Sequence, residues 1–154
     1  MNGAHLHLVI NHVPVLGTIF GLALLAFALW RGSDELKKAA LGTFVIIALL
    51  TVPTYLTGDP AWHVVYGLPG VSDSVFHQHD DAAGVAFTGS AILGVLALVG
   101  LIWFRGGKPV KKWFSALVLA GAVAVSGLML WTANLGGQIR HTEIRSGSVT
   151  EPSR

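Results

Sequence analysis

The sequence predicts an all-α, polytopic membrane protein, with four transmembrane helices in an up-down-up-down bundle. Composition is the first reason. Of the 154 residues, 53% are hydrophobic and only 12% are charged, where soluble domains carry about 25% charged residues. Four long apolar runs, roughly 7–30, 39–56, 82–104 and 113–135, are the second reason. Each reaches about the 18 residues that a spanning helix needs. The runs are interrupted mainly by Gly, Ser, Thr and Pro, which membrane helices tolerate, and short connections favour antiparallel neighbours. The expected organisation is a four-helix transmembrane domain over 1–141 and a polar tail over 142–154.

The first run opens on His5-Leu-His7-Leu-Val-Ile-Asn-His12-Val-Pro14, three imidazoles and an amide entering an apolar helix. Ala26-Phe-Ala28 imitates a signal-peptide cleavage box. No Lys or Arg precedes the run, however, and it is longer than a signal core, so it reads as a retained helix. Gly17 and Gly21 form a Gly-x-x-x-Gly pair, and Ala86, Ser90 and Gly94 repeat small residues in the third run; both patterns let helices approach closely in lipid. The 19 glycines either serve such contact alone or also clear room for a flat macrocycle. Pro14 and Pro53 each remove a helix hydrogen bond and are expected to kink the first and second runs. A kink beside His12 would free the Ile10 carbonyl or aim the imidazole.

Charge placement orients the bundle. Arg31, Lys37 and Lys38 follow the first run, and Arg105, Lys108, Lys111 and Lys112 follow the third. The connection from Gly58 to Asp81 has no Lys or Arg, but it holds Asp59, Asp73, Asp80 and Asp81. The positive-inside rule puts the basic loops in the cytoplasm and both termini outside, against which Arg140, Arg145 and Arg154 weigh less. Trp30, Trp103 and Trp113 then form a cytoplasmic aromatic belt. The middle connection is long enough to be functional. Turn signals stand at Asp59-Pro60 and Leu68-Pro-Gly70. Trp62, Val64, Val65, Tyr66, Val75 and Phe76 suit short amphipathic pieces on the membrane surface, capping the histidine side. The tail from Thr142 reads as polar and mobile at its end.

All seven histidines fall on that outer side. His5, His7 and His12 begin the first run, His63, His77 and His79 lie in the middle connection or at the start of the third, and His141 follows the fourth. On an ideal helix His5 and His12 share a face and His7 points nearly opposite. The lack of Cys excludes disulfides, covalent c-type haem, iron–sulfur clusters and thiolate catalysis. A net charge of +2 without a basic stripe argues against nucleic acid. No Gly-x-Ser-x-Gly, His-Glu-x-x-His or phosphate loop points to a hydrolytic enzyme.

Three readings of the histidines compete. Ionisable groups inside a membrane helix are functional by default, and two His from facing helices can ligate a b-type haem without any Cys. His12 and His79 are the first candidates as axial ligands. His7 and His141 form a possible second pair, for one or two haems, with His5 also eligible and Arg140 or Arg145 available to the propionates. In the second reading, His12, His79, His7, His141 and His77 hold Cu or Zn directly with Asp80, Asp81 or Glu143. The segment His77-Gln-His79-Asp80-Asp81 is compact enough for that, although its Asp residues also suit a helix N-terminus. The third reading is a cofactor-free structural subunit of a larger membrane complex.

His7-Leu-Val-Ile-Asn-His12-Val-Pro14 resembles the opening of a bacterial four-helix membrane domain of unknown function (family 2231 in its series). Leu68-Pro-Gly-Val-Ser72 leading to His79-Asp-Asp-Ala-Ala83 looks like that family's entry into its third helix. Leu135-Gly-Gly-Gln-Ile139 looks like its closing Gly-Gly motif. The chain departs at Leu8 and Val13, where the family often has Pro and Phe, and at Ile139-Arg140-His141-Thr142-Glu143, which shifts the terminal His. The resemblance favours His7 with His12, and implies a bacterial inner membrane and redox-protein partners. The sequence thus favours a b-type haem electron-transfer protein or subunit, contacting lipid and a redox protein or larger complex. A carrier suits so short a chain better than a stand-alone enzyme.

Overall fold

A computed structural model describes residues 2–145, so the expected tail beyond Arg145 lies outside the described residues. These residues form helices and turns with no strand: α1 Gly3–Ile10, α2 His12–Arg31, α3 Asp34–Leu56, α4 Gly58–Val65, α5 Asp73–Trp103, α6 Lys112–Arg140 and a 3-10 turn Thr142–Ile144. Four continuous spans, Gly3–Arg31, Asp34–Val65, Asp73–Trp103 and Lys112–Arg140, are long and apolar enough to cross a membrane.

The prolines set the breaks. Pro14 has no N–H to offer the Ile10 carbonyl, and the first helix divides at Asn11, leaving Pro14 in the first turn of α2, where proline is tolerated. The Ile10 carbonyl is instead approached by the Thr54 hydroxyl at 3.5 Å. Pro53 stays inside α3, which ends at Leu56, and Pro60 then sits in the first turn of α4. Residues 58–65, expected as a surface piece, form a helix that packs on α1, with Gly3 against the Pro60 backbone.

The third span begins at Asp73, nine residues before the sequence suggested, because Ser72 caps it by accepting from Val75 N at 3.3 Å. His77, His79, Asp80 and Asp81 are therefore helical rather than part of a loop. The fourth helix also runs on to Arg140, past the expected end at 135.

The long helices form a ring: α2 packs on α3, α3 on α5, α5 on α6, and α6 on α2. Along neighbouring pairs the contacts run in opposite senses. Gly17 faces Ile47 while Gly21 faces Phe44, and Ser90 meets Thr51 while Gly94 meets Ala48. Both small-residue patterns read from the sequence lie in these interfaces. A Cβ on Gly94 would collide with the Ala48 Cβ, so the α3–α5 approach needs glycine there. The core runs from Leu25, Leu41 and Phe44 through Ala86 and Leu93 to Phe114 and Val118.

Candidate functional site

Each helix carries its buried stripe into one end of the bundle, and there the stripe turns polar. On α2 the inward positions are Pro14, Thr18, Gly21, Leu25 and Ala28. The same three-and-four spacing, continued toward the N-terminus, gives Asn11 and His7. On α5 Phe76, Ala82, Ala86 and Ser90 are buried, and His79 lies on that face. On α6 the stripe through Val125 and Met129 leads to Thr132 and Gly136, and on α3 Thr51 leads to Thr54.

Two half-buried imidazoles result, His7 on α1 and His79 on α5. Each is held through Nδ1. His79 Nδ1 is 2.9 Å from the Thr132 carbonyl, which can only accept, so Nδ1 carries the proton. His7 Nδ1 is 3.0 Å from the Thr57 hydroxyl. That hydroxyl also lies 2.9 Å from the Thr54 carbonyl, so it can donate there while accepting from His7. In His79 the lone pair is left on Nε2, and the same tautomer of His7 leaves it there too. Gly136 makes room for the second ring, since a Cβ there would stand 3.0 Å from His79 Cε1. Two buried oxygens at this end, Asn11 Oδ1 and Thr132 Oγ1, have no hydrogen-bond partner among the described residues. Such atoms are rare in native interiors and ask for an explanation.

The other candidates are placed differently. His5 and His12 share a face, as seven-residue spacing requires, and both are exposed. His77 is exposed and 3.6 Å from Asp73, one turn back. Asp80, Asp81 and His63 are exposed as well. His141 Nδ1 is 2.8 Å from Glu143 Oε1 on the surface. Glu143's own backbone N–H, together with that imidazole, holds its carboxyl below the usual glutamate range.

Arg140 and Arg145 are committed to backbone. Arg140 Nη1 donates to the Pro69 carbonyl at 2.9 Å. Arg145 donates to the Gln138, Ile139 and Gly70 carbonyls, each at 2.7 Å, covering the end of α6 and fastening the loop before α5 to it. Among the described residues no three His, Asp or Glu side chains converge in an arrangement that could hold a metal ion. The geometry therefore places His7 and His79, half-buried, at the same end of the bundle and leaves His12, His141, His77 and Asp80 exposed on its surface. The missed signal was the stripe His7–Asn11–Pro14–Thr18–Gly21, which assigns His7 rather than His12 to the interior.

Comparison of the chain with protein-family models, with curated proteins and with solved structures finds no match. What it does must be argued from the site.

Proposed function

We propose that the chain is a membrane electron-transfer protein or subunit that holds a b-type haem through His7 and His79. The observation that carries this reading is the pair of half-buried imidazoles, each tethered at Nδ1 with Nε2 bare. Metal-bound histidines almost always donate their other ring N–H to a carbonyl, carboxylate or water, which fixes tautomer and ring orientation. The donor number supports haem over a bare ion. Zinc and copper sites usually draw three or four protein ligands, and among the described residues no third His, Asp or Glu converges on this pair. A porphyrin brings four nitrogens of its own and asks the protein for the remaining two. Bound there, haem would supply one-electron transfer at a potential set by its axial ligands and burial.

The chain's own residues do the rest. Thr57 and Thr132 fix the ring orientations, and Gly136 admits His79. The basic loops at the far end support, by the positive-inside rule, an orientation with those connections in the cytoplasm and the histidine end outside a bacterial inner membrane. Of the closing Gly-Gly pair, Gly136 stands against His79, whereas Gly137 faces Ile144.

A second reading has its own observation. His79 ties α5 to α6, and His7 ties α1 to the α3–α4 junction, which is also what two structural histidines in a cofactor-free subunit would do. A reduced-minus-oxidised visible spectrum of the detergent-purified protein, with metal analysis on the same sample, separates the readings. Sharp haem bands with stoichiometric iron support the proposal. Stoichiometric copper or zinc without haem moves the site to direct metal ligation, and neither leaves the structural reading.

A further inference from the structure

An outward groove of about 560 Å³ runs along α5 between α3 and α6. Its floor is bare because Gly84 and Gly89 project no side chain. A Cβ added at Gly84 would meet only the Tyr55 hydroxyl, at 3.8 Å. The Thr88 hydroxyl, also in the floor, is turned back onto the Gly84 carbonyl at 2.9 Å. One wall is Tyr55, held upright by stacking on Phe87 with centroids 4.7 Å apart and planes 13° apart. Leu128 lines the other side, and exposed Asp80 and Asp81 line the groove at the histidine end. Asp80 directly follows His79, so the acidic end of the groove and the inward imidazole occupy the same turn of α5.

We propose that this groove binds the ring of a membrane quinol, an aromatic diol on a long apolar tail. Three features select that chemistry. Carboxylates accept hydrogen bonds and, when ionised, cannot donate them, so this end suits hydroxyl donors and repels the anionic heads of fatty acids and acidic phospholipids. A flat floor beside an upright aromatic wall suits a planar ring. The groove lies on a face of a helix long and apolar enough to cross the bilayer, which admits a partner that dissolves in lipid and lets its tail remain there. The choice of a redox-active ring over other hydroxyl-bearing amphiphiles rests on the electron-transfer reading above. The groove's preference is for the reduced form, because the quinone has lost the O–H donor that Asp80 or Asp81 would accept from.

The test uses the full chain in phosphatidylcholine vesicles and a short-tailed quinol carrying a diazirine, with labelled peptides mapped by mass spectrometry. Saturable labelling around residues 84–92, displaced by unlabelled quinol, is expected. Gly84→Leu fills the floor without a backbone clash and should abolish it. Asp81→Asn, an exposed change that leaves the fold alone, should weaken competition by the quinol about tenfold, equivalent to about 1.4 kcal/mol. It should leave competition by the quinone nearly unchanged. Non-saturable labelling spread over all four helices would mean that ordinary lipid fills the groove, and would overturn the proposal. Undiminished labelling in Gly84→Leu would overturn it too. Iron and haem are measured on the same preparation. Specific labelling without haem keeps the groove and removes the electron-transfer reading, whereas haem without specific labelling does the reverse.

Discussion

The two ends of the bundle are built on different rules. At the basic end, α2 turns into α3 through Gly32 and Ser33 alone, with Gly32 at φ 66° and Ser33 capping α3. Asp34 Oδ1 accepts from Lys37 Nζ at 2.9 Å and from Val110 N at 3.2 Å, so one carboxylate joins the start of α3 to the α5–α6 connection. Lys37 is only 8% exposed, yet its charge is paired. Phe104, Val110 and Phe114 close the apolar core directly beside it. At the histidine end the helices break at Asn11 and Thr57, and neither α1 nor α4 contains a buried residue. Two buried oxygens there lack partners among the described residues. Sequences that specify one fold keep caps, packing and polar pairing consistent, and departures concentrate at functional sites. The basic end is capped, paired and packed, and the histidine end is where those rules are relaxed.

This division is broken most directly by His7→Ala and His79→Ala. Each should reduce haem and iron from stoichiometric to near zero in purified protein. Helix content should stay the same, because a lost hydrogen bond of this kind costs only about 0.5–1.5 kcal/mol. Retention of full haem by either variant would sink the assignment of the ligand pair.

The opposite pattern is expected at the other end. Phe114 is 3% exposed and lies against Phe104 with ring centroids 5.3 Å apart. Phe114→Ala should cost about 3–5 kcal/mol, read as a lower midpoint in thermal or denaturant unfolding in detergent. The protein that remains folded should keep its full haem per chain. If Phe114→Ala strips haem at temperatures where the helices survive, the two ends are not independent. Asp34→Ala comes next. It removes a charge-assisted bond to a buried Lys and the tie to Val110, a loss of about 1.5–3 kcal/mol, and it too should leave haem content alone. Rescue by Asp34→Glu would be poor, because the carboxylate must reach Lys37 and Val110 together.

Much of the fold was legible because lipid imposes a coarse grammar of long apolar runs, small residues at contacts and charge in the short loops. Gly17, Gly21, Ser90 and Gly94 were identifiable as contact residues from spacing alone. The start of α5 was not, because the segment from Asp73 to Asp81 is polar, and polarity hides a helix that begins before its apolar part. Its signal was the Ser72 cap with Asp73 in the first turn. The site was half legible. That histidines would gather at one end followed from counting runs and loops. Which of them point inward required following each buried stripe past the apolar region, and at this end the stripe is made of His, Asn and Thr rather than Leu. A hydrophobicity pattern cannot report a face that stays buried after it stops being hydrophobic.

The smallest expected effect is the sharpest test of that last point. His12 lies deepest in the first apolar run, and both its depth and the family-like motif favoured it as a ligand. Depth along a helix does not fix direction around it, however. His12 shares its face with His5, and that face is exposed, while Pro14, Thr18 and Gly21 mark the buried face to which His7 belongs. His12→Ala should therefore leave haem content and spectrum unchanged and move stability by no more than about 0.5 kcal/mol, as surface substitutions usually do. Measured beside His7→Ala in one preparation, it separates ligation from mere crowding of histidines. A shared loss in both variants would mean that the α1–α2 break at Asn11 lets the helix rotate and bring His12 inward, and the buried stripe would then no longer define the site.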